Sequence, residues 1–562
     1  MKHRYNRADQ NVPMNTPARV LAVWGLVLLF LNTGGCIRGE PNVLSGNQEG
    51  IFYFGNSTEP QSLDPHVMSG SPEVNIARAL FEGLVTRNPI TMDMDPGVAE
   101  RWTISEDGKT YTFYLNPKAR WSNGDAVTAE DFAWSLTRSI HPLMGNQVAY
   151  TLFPIVNARA FSAGELEDES QIGIKVLDTR TLQISLENPD PFFLETLGTY
   201  PAYPVHRATV EAHGLATDRF TRWTRAENFV GNGAFTLSEW LLNRRLTVIK
   251  SETYWDADRV ELNQVVFYPI ENLVSEEKMF RTGQLHFTNQ VPVSKIPWYR
   301  QLPNSPYHQG PQQGTYFLSL NIERGPLADL RVRQALAMSI DRERLISSIL
   351  YGTAVPSAAM VPLNTPGYRS PPGPAYDPDR ARALLAEAGY PNGEGWPGLE
   401  YLYNTNEQHR SIAVALQQMW KDKLNIDVTL VNQEWKVYLD TMNEKNYDMA
   451  RMGWLASTFD PLIFLEIFTT GSGINRTNFS DARFDELIKQ LIPRTVQDEK
   501  RLALTQEAEA IVLDNVPGIA LYNYMTKHLV QPSVTGAPSN ELDIQNFKYI
   551  SLDQNALPWR AE

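Results

Sequence analysis

Residues 399–431 constrain the fold more than any other stretch of this chain. "LEYLYNT" has the composition of a short strand, a helix follows from about Gln408 to Leu424, and "IDVTLV" supplies a second strand. A strand–helix–strand order implies a parallel pair joined by a right-handed crossover. Other segments have the same mixed character. "KTYTFYL" at 109–115 alternates like a half-buried strand, next to the Asn-Gly turn of "WSNGDAV". "TAEDFAWSLTRSI" begins a helix with Thr128 as N-cap and Asp131 three residues on. "DPDRARALLAEAG" is another, with Asp377 as cap, Pro378 at the first position and Gly389 as the stop. A helix over Ala482–Leu491 places Phe484, Leu487, Ile488 and Leu491 on one face. The expectation is a set of α/β lobes held by small hinges.

Size agrees with that organisation. A chain of 562 residues, 42% hydrophobic and 20% charged, is too long for one simple domain, so two or three lobes are expected. The net charge of −14 excludes a general nucleic-acid binder, which would carry a basic surface. At the N-terminus, Lys2, His3, Arg4, Arg7 and Arg19 precede "VLAVWGLVLLFL" at 20–31, and "NTGGC" follows. A basic start, an apolar run and small residues make a secretory signal. The run is short for a membrane-spanning helix, which needs about 20 residues. Cys36, the only cysteine, cannot form an internal disulfide and sits where a signal peptidase would cut. This end resembles a bacterial lipoprotein cleavage box, with Thr33 where such boxes usually carry Leu, and the resemblance implies lipidation of Cys36.

Signatures of catalysis are missing. The nine histidines are scattered, and the chain has no HExxH, no Cys/His cluster and no G-x-S-x-G elbow. "DGKT" at 107–110 ends like a phosphate loop, but Thr103 occupies the place of the first glycine, so it reads as a hairpin turn. The pairs Glu130-Asp131 and Asp485-Glu486 fall in first turns of expected helices, where carboxylates complement the helix dipole. No catalytic residue, metal site or cofactor is expected.

The motifs that remain resemble one family strongly. They are "EPQSLDPH" (59–66), "ALFEGLV" (79–85), "PGVAERW" (96–102), "WSNGDAVTAEDF" (121–132), "NGAF" (232–235), "YWDA" (254–257), "DLRVRQALAMSIDRE" (329–343), "AEAGYP" (386–391) and "NQEWKVYLDT" (432–441). In this order they resemble the solute-binding proteins of oligopeptide ABC importers, across nearly everything after residue 45. The resemblance implies an α/β fold: a two-lobed periplasmic-binding-protein clamp (type II-like) with an extra accessory domain. Residues 1–36 would be the lipoprotein signal peptide ending at the lipidated cysteine, and 37–44 a linker. Lobe I would comprise 45–81, 207–313 and 525–562, the accessory domain 82–206, and lobe II 314–524, with hinges near 313 and 524. The implied partners are a peptide ligand and the ABC permease and ATPase complex, with the membrane reached through the lipid anchor and no nucleic acid. The implied place is the cell envelope, in the periplasm or on the outer face of the membrane, as a monomer. Two alternatives stay open: a same-fold binder of a non-peptide solute such as a nickel chelate, haem or saccharide, and a lipid-anchored sensor or chaperone.

In this family an extended peptide lies between the lobes and pairs its backbone with protein strands. By resemblance the pairing segments here are Ser69-Gly70-Ser71 and Gly453 to Ser457, with Trp454, Leu455, Phe317 and Tyr524 as walls. Arg451 and His409 match cationic positions at the carboxylate end, while Leu350 and Met442 stand where Lys and Arg occur. At the other end, Ser457 in "GWLASTFDP" stands where an aspartate pairs with the peptide's α-ammonium group, and Ser69 where a glutamate can be found. A hydroxyl hydrogen-bonds but cannot neutralise a charge. Asp460 could take over the ammonium, water could compensate in a wide cleft, or the ligand could lack a free α-amine, as N-acylated and cell-wall-derived peptides do.

Overall fold

The strand–helix–strand unit is present as Glu400–Asn404, Glu407–Leu424 and Thr429–Gln433, with the two strands parallel and Tyr401 opposite Leu430. The structure, a computed structural model, describes residues 41–68, 70–495 and 498–560, so Cys36, Ser69 and the expected signal segment lie outside the described residues. Residues Asn42–Glu562 form one compact unit.

Three sheets organise that unit. The first has the order Ile51–Gly55, Gln264–Tyr268, Arg245–Lys250, Phe235–Leu241, and its first two strands are parallel. Phe54, Phe267 and Phe547 pack edge to face in its core, at centroid distances of 5.2–5.8 Å. The second sheet is antiparallel, with the order Ala99–Ile104, Thr110–Leu115, Thr181–Ser185, Ile174–Asp178. Its buried core draws only on residues between Leu84 and Ala202. The third sheet runs Ala354–Pro356, Gly518–Leu529, Tyr307–Leu320, Met449–Leu455, Glu400–Asn404, Thr429–Gln433, and hydrophobic clusters cover both of its faces.

Local chemistry explains most of the boundaries. Thr110–Leu115 alternates between half-buried and buried residues, as its sequence pattern requires. Thr128 and Asp131 form a reciprocal capping box on Ala129–Ile140. Asp377 caps Pro378–Glu387 through the Arg380 amide, and Gly389 adopts φ +99° just after the helix. One helix differs from expectation. Ala482–Glu486 is α-helical, but Leu487–Leu491 widens into a π turn. The Ile492 amide reaches back to the Leu487 carbonyl at 3.0 Å, and Pro493 follows with no N–H to continue the ladder. Phe484, Leu487 and Ile488 are buried all the same.

The two longest strands, Tyr307–Leu320 and Gly518–Leu529, are antiparallel to each other and carry the chain between the first and third sheets. Their register shifts between Pro311 and Thr315, opposite 523–525. Buried polar ties fasten the second sheet's body to the first. Arg138 reaches Asp64 at 2.7 Å with both side chains 2% exposed, and Lys548 reaches Glu82 at 3.0 Å. Glu82 also accepts from Tyr254 and Trp255. Such pairs are costly to break from one side, and they hold the two bodies against each other.

Candidate functional site

Glu400–Asn404 is parallel both to Thr429–Gln433 and to Met449–Leu455, so the carboxyl ends of three strands lie side by side. That end of a parallel sheet is where α/β proteins bind ligands. Met449–Leu455 pairs with Glu400–Asn404 only at Met449 and Ala450. Its other edge pairs with Tyr307–Leu320 along its whole length, with Tyr316 opposite Gly453 and Gly314 opposite Leu455. From Arg451 to Leu455 one edge therefore has no strand partner among the described residues. An open edge of this kind accepts an added strand.

Arg451 stands at the root of that edge. Its Nη2 donates to Tyr524 Oη at 3.1 Å and its Nη1 to Asn404 Oδ1 at 3.4 Å, while the guanidinium lies 5.1 Å from the Tyr316 ring centroid. The Tyr438 hydroxyl donates to the Arg451 carbonyl. Among the described residues no carboxylate lies within ion-pair distance of Arg451, and its Nε is buried without a partner. Among the described residues Trp454 Nε1, on the strand's other face, and the acceptor Gln433 Oε1 are unpartnered as well. A part-buried cation set in aromatic rings, with its own Nε–H left over, suits an incoming carboxylate.

Several expected residues take different parts. Phe317 is not a wall: it is fully buried and packs against Phe468, 6.2 Å away, because strand alternation sends it to the opposite face from Tyr316. On this strand it is Tyr316 whose ring meets Arg451. His409 lies 5.6 Å from the Tyr316 ring at the start of its helix. Burial first, and the Arg451 charge second, hold its imidazole well below the usual pKa, so it is neutral at pH 7 and not a second cation. Leu350 and Met442 are fully buried in the cores. Gly453 makes room: a Cβ there would collide with the Tyr524 hydroxyl and sit 3.1 Å from Arg451 Nη2. Trp454 is half-buried and Leu455 is 44% exposed.

At the other end, Gly70 has extended backbone, but Ser71 is the first residue of the helix Ser71–Leu80 and so begins a helix rather than continuing a strand. Ser457 is half-buried, and among the described residues its hydroxyl has no protein partner. Asp460 is already engaged. Its Oδ1 accepts the Leu462 amide at 3.0 Å as a helix cap, and its Oδ2 pairs with Arg501 at 2.9 Å.

Comparison with known proteins shows relatives that span most of the chain. The profile of the bacterial extracellular solute-binding proteins, family 5 (middle), matches residues 93–476. The periplasmic murein peptide-binding protein MppA of Escherichia coli is 34% identical over 508 residues, which cover 89% of this chain and 92% of that protein. The periplasmic oligopeptide-binding protein OppA of Escherichia coli is 33% identical over 494 residues, covering 86% of this chain and 88% of that protein. A solved structure of the Escherichia coli murein tripeptide binding protein MppA superposes with a TM-score of 0.84 at 33% identity, covering 89% of this chain and 98% of that one. An unliganded open form of MppA reaches 0.66 at the same 33% identity, with 90% of this chain and 98% of that one covered. The arrangement described here is therefore less similar to that open form than to the other MppA structure.

Proposed function

The chain belongs to the bacterial extracellular solute-binding proteins of family 5, and from that membership we propose that it captures short peptides outside the cytoplasm and delivers them to an ABC importer. Members of this family bind and do not catalyse, so the chain is a binding protein and not an enzyme. One observation carries the choice of ligand. Among the described residues Arg451 is a part-buried cation with no acid in ion-pair distance, beside a strand edge with no strand partner. An extended peptide offers both of the missing pieces, a backbone to pair with the edge and a carboxylate for the guanidinium.

The names of the relatives support the same reading, since MppA is a murein peptide-binding protein and OppA an oligopeptide-binding protein. The hinge of the proposed clamp lies where the long strand pair shifts register, at 311–315 and 523–525. The ligand's N-terminus is proposed to carry no free ammonium group, as in N-acylated or cell-wall-derived peptides. Ser457 supplies no charge there, and Asp460 is held by Arg501 and by its own helix cap. Leaving an ammonium buried without a partner costs about 2–5 kcal/mol.

Titration with tri- to pentapeptides tests the clamp. A ligand at a hundredfold excess over its dissociation constant should add about 2.7 kcal/mol of stability. The rise in melting temperature should come with a smaller radius of gyration in small-angle scattering. Stabilisation without compaction contradicts enclosure between lobes.

The protein is further proposed to be a lipid-anchored monomer of the cell envelope, held through Cys36. Cys36→Ala should leave the fold intact and release the exported protein from membranes. Retention of the Cys36→Ala protein on membranes after a carbonate wash would contradict the anchor.

A further inference from the structure

The loop that follows the open strand edge is gripped from the second sheet's body. Glu195 Oε2 accepts the Phe459 amide at 3.0 Å, two residues beyond Ser457. Arg87 pairs with the same carboxylate at 2.7 Å, and its guanidinium lies 5.5 Å from the Phe459 ring centroid. The grip is reciprocal. Arg501, which pairs with Asp460 from the third sheet's side, places its guanidinium 5.3 Å from the ring of Phe192 on the other body. Each body thus offers one arginine to the other's phenylalanine, and each arginine is held by an acid of its own side. All four charged side chains are at most 18% exposed, so these contacts are little screened by solvent.

From this we propose that the body between residues 82 and 206 acts as a clasp, with Glu195 as a positioning residue for the ligand-binding loop. The buried Arg138–Asp64 and Lys548–Glu82 pairs fix that body to the first sheet. Bending at the long strand pair, the hinge proposed above, therefore has to part Glu195 from Phe459 and each arginine from its ring. Closing restores these contacts and sets the 456–460 loop in its ligand-facing shape. The clasp gives the body a role without any contact between it and the ligand. It acts on how long the closed state lasts, and so on how slowly the ligand leaves.

Hydrogen exchange on the full chain, resolved at the Phe459 amide, reads the clasp directly. Glu195→Ala should speed exchange of that amide at least tenfold, while amides of Met449–Leu455 and of Phe193–Leu197 keep their rates. Glu195→Gln retains an acceptor and should restore most of the protection. A merely structural role for Glu195 would loosen its own helix equally, and that result overturns the proposal, as does an unprotected Phe459 amide in the unmodified protein. With trialanine and its N-acetyl form as probes, Glu195→Ala should raise the dissociation rate about tenfold and change the association rate less than twofold. An unchanged dissociation rate overturns the clasp. The kinetic arm rests on the peptide reading: if neither probe binds, that reading fails, and the exchange measurement decides the clasp by itself.

Discussion

Arg451→Gln should weaken peptide binding by at least thirtyfold, with little or no loss of stability in the ligand-free protein. Truncating one member of a buried charge pair typically costs about 2–5 kcal/mol, because the other member is left unpaired, and 1.4 kcal/mol is a decade in affinity. In the free protein the sign reverses. Arg451 has no acid partner among the described residues, so removing its charge relieves a desolvation cost, and the melting temperature should hold or rise. Gln is shorter and leaves Tyr524 Oη without its donor, which limits the gain. A C-amidated peptide gives the control. Amidation should cost the unmodified protein about as much as the substitution does and cost Arg451→Gln almost nothing, so the two changes are strongly non-additive. Additive losses in isothermal calorimetry would mean that the carboxylate does not meet Arg451. Arg451→Lys keeps the charge but loses the planar fork and should recover only part of the affinity.

Ser457→Asp should invert the preference between free and blocked peptides. A carboxylate at this position gains an ammonium partner and becomes a desolvated, repulsive neighbour for an acyl cap, and specificity is the difference of the two effects. An ordinary tri- to pentapeptide should bind about tenfold or more tighter, equivalent to about 1.4 kcal/mol. The N-acetylated form of the same peptide should bind more weakly. The gain for the free peptide requires a protonated α-amine, so it is complete well below the amine pKa of about 7.7–8.0 and fades as pH rises through it. If the ratio of free to acetylated affinities is the same in both proteins, Ser457 does not face the ligand's N-terminus.

Much of the scaffold is legible in the sequence because its signals are local. The Thr128 capping box, the Asp377 cap and the period-2 pattern of Thr110–Leu115 each depend on residues a few positions apart. The motifs behind the family resemblance turn out to be largely internal ties. Asp64 and His66 of "EPQSLDPH" both meet Arg138, and Glu82 of "ALFEGLV" gathers Tyr254 and Trp255 of "YWDA". Arg333 of "DLRVRQALAMSIDRE" donates to the Leu327 and Asn515 carbonyls. They report the fold rather than the ligand.

What the sequence hides is non-local. Nothing near residue 195 announces a bond to residue 459, and the spacing of 264 positions places that contact beyond any periodic pattern. The role of Phe317 is lost for a different reason. Position alone cannot say which face of a long strand meets the cleft, and a shift of one residue exchanges Phe317 for Tyr316. The charge of His409 is hidden too, since its neutrality comes first from burial in the fold and second from Arg451, 42 positions along the chain.

Mass spectrometry of whatever the protein retains when purified from the envelope under native conditions tests the proposed function most directly. The predicted result is a short peptide with a free carboxylate and a blocked or cell-wall-derived amino end, released on unfolding and absent from Arg451→Gln prepared in parallel. A non-peptide solute in the same fraction, such as a saccharide or a metal chelate, retained equally by Arg451→Gln, would contradict it.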